Sequence, residues 1–323
     1  MKKPRFSQQV IVVLIFLLML GGFSAFLPGF RTGPNLVALL QNVAILGILG
    51  LGMALIVLGR GIDLSMVATL AVPPGLLLQM MQDGHSLPVA CAAALALALA
   101  FGLINGWLIA YAEVPPLFTT LGTGIFLAGL GQAAFFRLDV IQWHSNLDPL
   151  SWFGRGELAA IPMPLVMFGL VATGTAIFLM KTQLGTYIYA VGDNPSAART
   201  TGIPARPVVV LQYVLAALFA AFAGMVMAAS VNSMPTRIYN STLIYDVILV
   251  VILGGIGLSG GRGSALNVLI GTLFIGTLIN GMTILDVSYS AQNLVKGLVL
   301  LAALLADSIV NPRNEETAQQ GDI

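Results

Sequence analysis

Apolar runs of close to 20 residues recur along the chain from Gln9 to Val310. The hydrocarbon core of a bilayer is about 30 Å thick and takes about 20 helical residues to cross. About ten runs qualify: Gln9–Leu27, Leu36–Leu58, Leu64–Met81, Pro88–Tyr111, Pro116–Phe136, Pro162–Met180, Val208–Ser230, Leu243–Leu258, Leu266–Leu285 and Ala291–Val310. The eighth is short and glycine-flanked, and reads as a bent or re-entrant segment as readily as a full crossing. Charged residues make up 8% of the chain and hydrophobic ones 58%, against about 25% and about 45–50% in soluble domains. Too little charge remains to solvate a globule, which excludes a soluble enzyme. A formal net charge of +1 without a basic stripe excludes a nucleic-acid binder. The single cysteine, Cys91, lies in an Ala/Leu run and reads as a packing residue. The expectation is an all-α, polytopic membrane helix bundle, one domain over residues 1–310 with a polar tail over 311–323.

Orientation follows from the Lys and Arg of the connections. Lys2, Lys3, Arg5, Arg60, Lys181, Arg199, Arg206, Arg262 and Arg313 fall on one side if both termini are cytoplasmic. Arg31, Arg137, Arg155, Arg237 and Lys296 fall outside or within a span. The bias places both termini in the cytoplasm. The first run is longer than a cleavable signal core and lacks a clean small-x-small exit, so it reads as an uncleaved anchor. The connection from Arg137 to Ile161 carries Trp143, Trp152 and Phe153 and is expected outside. The connection over 181–206 is expected inside.

Two famous strings occur in the glycine-rich stretch Gly254–Gly263. Gly255-x-Gly257-x-x-Gly260 copies a dinucleotide fingerprint, yet an apolar span precedes it where that fingerprint needs a strand. Gly257-x-Ser259-x-Gly261 copies a nucleophile elbow, yet the histidines, His85 and His144, are expected on the opposite side. Neither string is read as catalytic, and no phosphate-binding loop occurs. Gly254, Gly255, Gly260 and Gly261 are candidates for turns or a gate, with tight packing the favoured alternative. Gly102-x-x-x-Gly106 reads as a helix-packing face.

The connection over 181–206 has consistent local signals. Asn194 is a candidate N-cap, Pro195 suits the first helical position, and Gly202 suits the position just past the helix end. The enclosed helix, with Ala197, Ala198 and Arg199, spans about two turns and is too short to stand alone in water. It must dock on another molecule or lie against its own bundle.

Tyr189-Ala190-Val191-Gly192-Asp193-Asn194-Pro195-Ser196-Ala197-Ala198-Arg199-Thr200-Thr201-Gly202-Ile203 resembles the cytoplasmic loop of ribose-type ABC importer permeases. Gly61-Ile62-Asp63-Leu64-Ser65, the glycines Gly254-Gly255, Gly260-Gly261 and Gly263, and Asn280-Gly281 match further family marks in the family's order. Met66-Val67, Asp193, Ser196 and Asn267 depart from that pattern. The resemblance implies a coupling loop carried by Gly192, Asn194, Ala197, Ala198, Arg199 and Gly202, with Ala198 small enough to let the helix seat in a cleft of a separate ATPase subunit. It also implies a periplasmic solute-binding protein, a second permease chain (identical or paralogous), a monosaccharide or related polyol as cargo, and a bacterial inner-membrane location. ATP is then bound by the partner subunit; no cofactor, metal or catalytic residue is assigned to this chain, which is not read as an enzyme.

A polyol crossing a bilayer needs uncharged hydrogen-bond partners. Gln41, Asn42, Asn105, Gln132, Gln212, Asn267 and Asn280 lie in the expected spans, and Asn42, Asn105, Gln212 and Asn280 are the path candidates. Each has a more economical reading as interhelical glue worth about 1 kcal/mol. Asp63, Glu113, Asp246 and Asp286 sit near span ends; Asp63 is expected to cap the third span and Arg60 to face the C-terminal dipole of the second. Leu103-Ile104-Asn105-Gly106 and Leu278-Ile279-Asn280-Gly281 are identical strings, too short to establish a repeat. The competing reading is an ion-coupled secondary transporter of a small polar solute, for which an ionisable residue at the membrane midplane is the usual mark.

Overall fold

The computed structural model describes residues 8–310. Lys2, Lys3, Arg5, Arg313 and the tail over 311–323 lie outside the described residues. Thirteen helices follow one another: α1 (Gln8–Phe26), α2 (Gly33–Leu58), α3 (Met66–Gln82), α4 (Leu87–Ala110), α5 (Pro116–Leu130), α6 (Asp148–Arg155), α7 (Met163–Lys181), α8 (Gln183–Asp193), α9 (Pro195–Thr200), α10 (Ala205–Val231), α11 (Leu243–Leu253), α12 (Ala265–Ile284) and α13 (Tyr289–Val310). Four short strands, β1 (Val140–Gln142), β2 (Glu157–Leu158), β3 (Ile161–Pro162) and β4 (Ser233–Pro235), pair antiparallel as β1–β4 and β2–β3. They lie in the connections, and the architecture is a polytopic helical bundle.

A helix covers each of the ten expected runs. Eight helices are long and apolar enough to cross a bilayer. The two shorter ones are α3, with 17 residues, and α11, with 11. At 1.5 Å per residue α11 is about 16 Å long, well short of a hydrocarbon core. It stops at Leu253, five residues before the expected end, because Gly255 takes φ +90° and breaks the helix there. α3 carries Pro73 and Pro74 internally. Pro74 offers no N–H to the Leu70 carbonyl one turn back. At that place α10 backs in so closely that a Cβ on Gly224 would overlap the Leu70 oxygen.

α2 and α10 form the centre. Every residue of α2 from Val43 to Leu58 is buried. α10 packs on α4 through the expected small-residue face: a Cβ on Gly102 would sit 2.8 Å from Val214 Cα, and one on Gly106 would sit 2.6 Å from Val210 Cα. The periphery is apolar and uncovered. On α13, Leu294, Leu298, Leu301 and Leu305 form an i, i+4, i+7, i+11 stripe, each about 60% exposed, the surface a helix presents to hydrocarbon.

Connections sort into two ends of the bundle. At one end the segment 59–65 meets α8 and the glycine stretch 254–263, through Arg60 with Gly192, Leu58 with Gly261, and Tyr189 with Gly263. At the other, β1 pairs with β4, Gln82 reaches the Gln142 carbonyl, Arg137 pairs with Asp83, and Thr242 bonds Tyr289. The short helices α3 and α11 each begin at one of these ends and finish at the other.

Candidate functional site

Two helix caps in series shape the 181–206 connection. Thr182 Oγ1 accepts the Gly185 N–H at 3.1 Å and starts α8. Asn194 closes α8 and opens α9: its extended backbone (φ −150°, ψ 100°) turns the chain, and its Oδ1 accepts the Ala197 N–H at 2.9 Å. Pro195 then occupies the first helical position. α9 ends in a Schellman motif. The Ile203 N–H donates to the Ala198 carbonyl at 3.0 Å, and the Gly202 N–H to the Arg199 carbonyl at 3.1 Å. Gly202 has φ +84°, the left-handed position such a motif requires.

These caps decide which side of α9 faces out. Ser196, Ala197, Arg199 and Thr200 are exposed, whereas Ala198 is 4% exposed and packs into the hydrophobic core of its own chain. Ala198 was expected to seat on a partner; within the bundle it is the anchor of α9, and Ala197 is the small residue on the open side. The reason is the 100° advance per helical residue, which sends adjacent alanines to different faces. A cleft of about 410 Å³ opens beside this face, lined by Tyr111, Arg199, Ile203, Pro204, Ala205, Arg206 and Pro207. Arg206 is held there by Glu113 at 2.9 Å and lies 5.6 Å from the centre of the Tyr111 ring.

Gly192 is buried where α8 crosses the end of α2, so closely that a Cβ would overlap the Leu58 carbonyl oxygen and lie 2.7 Å from the Gly261 nitrogen. The last carbonyls of α2 all accept hydrogen bonds: Leu55 from Gln212 Nε2 at 2.6 Å, Ile56 from the Gly59 and Gly61 N–H groups, Val57 from the Arg60 N–H, and Leu58 from the Gly261 N–H at 2.9 Å. Two of the five donors, Gln212 and Gly261, come from distant segments, so the end of α2 is closed in part by tertiary structure. Gly260 and Gly261 take φ +75° and +71° to bring this amide into place. Gly254 and Gly255 lie apart from them, against Asn267, whose Nδ2 donates to the Gly254 carbonyl at 2.6 Å. Gly254, Gly260 and Gly261 therefore sit at close backbone approaches, and Gly255 takes φ +90° beside the Asn267 side chain.

Arg60 reaches beyond its own helix: Nε donates to the Gly192 carbonyl at 2.6 Å and Nη2 to the Asp193 carbonyl. These are the terminal carbonyls of α8, and a cation there complements that helix's dipole. Tyr189 Oη donates to the Gly263 carbonyl at 2.7 Å, and burial raises its phenol pKa. Asp63 Oδ1 accepts the Ser65 N–H at 2.8 Å and the Ser65 hydroxyl at 2.5 Å. Burial pushes the Asp63 carboxyl up to about 6, opposed by these two Ser65 hydrogen bonds.

Three of the four path candidates are tied into separate hydrogen bonds. Asn105 donates to Ser65 Oγ at 2.9 Å and accepts from Thr123 at 2.6 Å. Gln212 closes α2, and Asn280 exchanges bonds with Asn35 at 2.8 and 3.1 Å. Asn42 alone of the four is exposed, on the first half of α2. None of the four lines the cleft beside α9. Sequence reasoning missed the buried pair Asp246–Lys296, whose Nζ lies 2.8 and 3.1 Å from the two carboxylate oxygens and also donates to Thr242 at 3.0 Å. Both residues are under 8% exposed; a spacing of 50 positions between α11 and α13 gives no sequence signal.

Residues 35–304 match the family described as branched-chain amino acid transport system / permease component. The chain is 35% identical over 304 residues to the ribose import permease protein RbsC of Escherichia coli K12, covering 94% of each. It is 37% identical over 281 residues to the ribose import permease protein of Bacillus subtilis 168, covering 87% of this chain and 86% of the relative. To the galactofuranose transporter permease protein YtfT of Escherichia coli K12 it is 34% identical over 272 residues, 84% of this chain and 79% of the relative. No solved structure matches the chain.

Proposed function

From the premise that this chain belongs to the branched-chain amino acid transport system / permease component family, as the multi-pass inner-membrane subunit of an ABC importer, we propose that it carries a pentose or related monosaccharide and is driven by a separate ATPase docked on the open face of α9. The proposed partners are that ATPase, a periplasmic solute-binding protein and a second permease chain. The end of the bundle bearing α8 and α9 is then cytoplasmic. The observation that carries this reading is α9 itself. It is fastened at both ends by caps, anchored from behind by Ala198, and presents Ala197, Arg199 and Thr200 outward. A short helix held this firmly offers a preformed surface, which lowers the ordering cost of binding. The names of the relatives support a sugar cargo; Asn42, exposed and uncharged within an apolar helix, is the path candidate that remains free to meet a polyol.

The two alanines supply the test. Ala197→Trp leaves the bundle intact and weakens the ATPase contact, whereas Ala198→Trp overfills the site behind α9 and lowers stability by about 1–3 kcal/mol. Detergent melting of the lone chain and co-purification of the ATPase separate the two. Lowered melting for Ala197→Trp with undiminished co-purification overturns the docking face. Uptake of labelled ribose, xylose and galactofuranose in whole cells reads the cargo. Uptake that survives ATP depletion and collapses with the ion gradient overturns the importer mechanism for this chain.

A further inference from the structure

We propose that the non-helical segment Gly59–Ser65 is a strap that transmits displacement of α8–α9 into α3, α4 and α5, with Arg60 as its positioning residue. This rests on α9 being the ATPase-docking element. At its first end the strap is attached to α8 through the two Arg60 bonds to the Gly192 and Asp193 carbonyls. Those carbonyls immediately precede Asn194, where the chain turns into α9, so any tilt of α9 about that turn reaches them first. A guanidinium is a planar fork, and gripping two successive carbonyls fixes direction as well as distance. The Arg60 backbone lies at φ +68°, a conformation that a long side chain adopts only when its surroundings hold it. Its own N–H donates to Val57 at 2.9 Å, so the strap is also keyed to the end of α2.

At its second end the strap is attached to three helices. The Leu64 N–H donates to Thr120 Oγ1 on α5 at 3.0 Å. Ser65 accepts from Asn105 on α4 at 2.9 Å while donating to Asp63 within the strap. Asn105 in turn accepts from Thr123 on α5 at 2.6 Å. Ser65 leads directly into α3. The strap has no helical hydrogen-bond ladder to hold its shape, so its position is set by what grips its two ends and, between them, by Tyr213 Oη, 3.4 Å from the Ile62 carbonyl. A buried chain of satisfied polar bonds of this kind moves as a unit or breaks at a cost. Asp63, Ser65 and Asn105, individually readable as glue, become the far anchor of one connection whose near anchor is Arg60.

A purely structural cap and a transmitting strap differ in what Arg60→Ala changes. In the reconstituted complex of permease, ATPase and binding protein, the strap predicts normal assembly and continued ATP hydrolysis, with sugar transported per ATP lowered about 5- to 150-fold, the range of energetic coupling between two sites. Arg60→Lys, which keeps the charge but reaches one carbonyl, restores part of that ratio. If uptake and hydrolysis fall together, or if the ratio is unchanged, the strap is wrong and Arg60 is a cap. Should Arg60→Ala fail to assemble, Arg60→Lys decides alone: a ratio below that of the unaltered protein supports the strap, and an equal one ends it. Failure of the docking reading is separate, since it shows as unaltered permease that does not retain the ATPase.

Discussion

The two ends of the bundle are held together by different physics. At the end bearing α8 and α9, backbone meets backbone. Leu58 accepts from Gly261, Arg60 grips the α8 carbonyls, and Gly192 leaves no room for a single methyl group. At the opposite end the connections are joined by a three-residue strand pair and by Arg137–Asp83 and Arg237–Asp139, whose arginine side chains are 75% and 63% exposed. Exposed ion pairs of this kind contribute about 0–1 kcal/mol each. Buried hydrogen bonds cost far more to break, because a lost partner leaves a desolvated group behind. One end is therefore interlocked, and the other, apart from the close approach of Gly154 to Ala229 and Ser230, is the more adjustable.

Gly192→Ala gives the largest expected effect. The struck atom is the Leu58 carbonyl oxygen, which has no rotamer to escape into, so the loss exceeds the about 1–3 kcal/mol usual for overpacking. Folded protein recovered in detergent should fall sharply, and recovery equal to the unaltered chain would show that the interlock is loose. Next is Lys296→Ala, which probes the exception at the adjustable end. It strands Asp246 without its cation, and breaking a buried pair in this way costs about 3–5 kcal/mol. A melting temperature within a degree of the unaltered chain would mean that water reaches this pair. The smallest effect belongs to Arg137→Ala combined with Arg237→Ala, expected to change stability by about 2 kcal/mol or less in total. A loss comparable to that of Lys296→Ala would erase the contrast between the ends.

Legibility in the sequence followed the range of the interactions. The caps of α9 were readable from Asn194, Pro195 and Gly202 because the bonds they make span three to five residues. The Gly102/Gly106 face was readable because small residues at that spacing share one side of a helix. Arg60 shows where local reasoning stops. A cation after a helix was matched to the C-terminal dipole of α2, but its guanidinium also grips the end of α8, 132 positions away. Gln212 and Asn280 were recognisable as polar groups in apolar helices, while their partners, Leu55 and Asn35, were not.

By itself the sequence determined that the chain is a bundle of apolar helices, where each of the ten apolar runs lies to within a few residues, and that α9 is capped by Asn194 and closed by Gly202. Those properties depend on hydropathy and on hydrogen bonds between near neighbours. Tertiary structure alone decided that Ala198 turns inward and Ala197 outward, that Lys296 meets Asp246, and that Arg60 holds α8. In each case the outcome depends on which distant backbone or side chain comes within a few ångströms, and chain connectivity does not encode that distance.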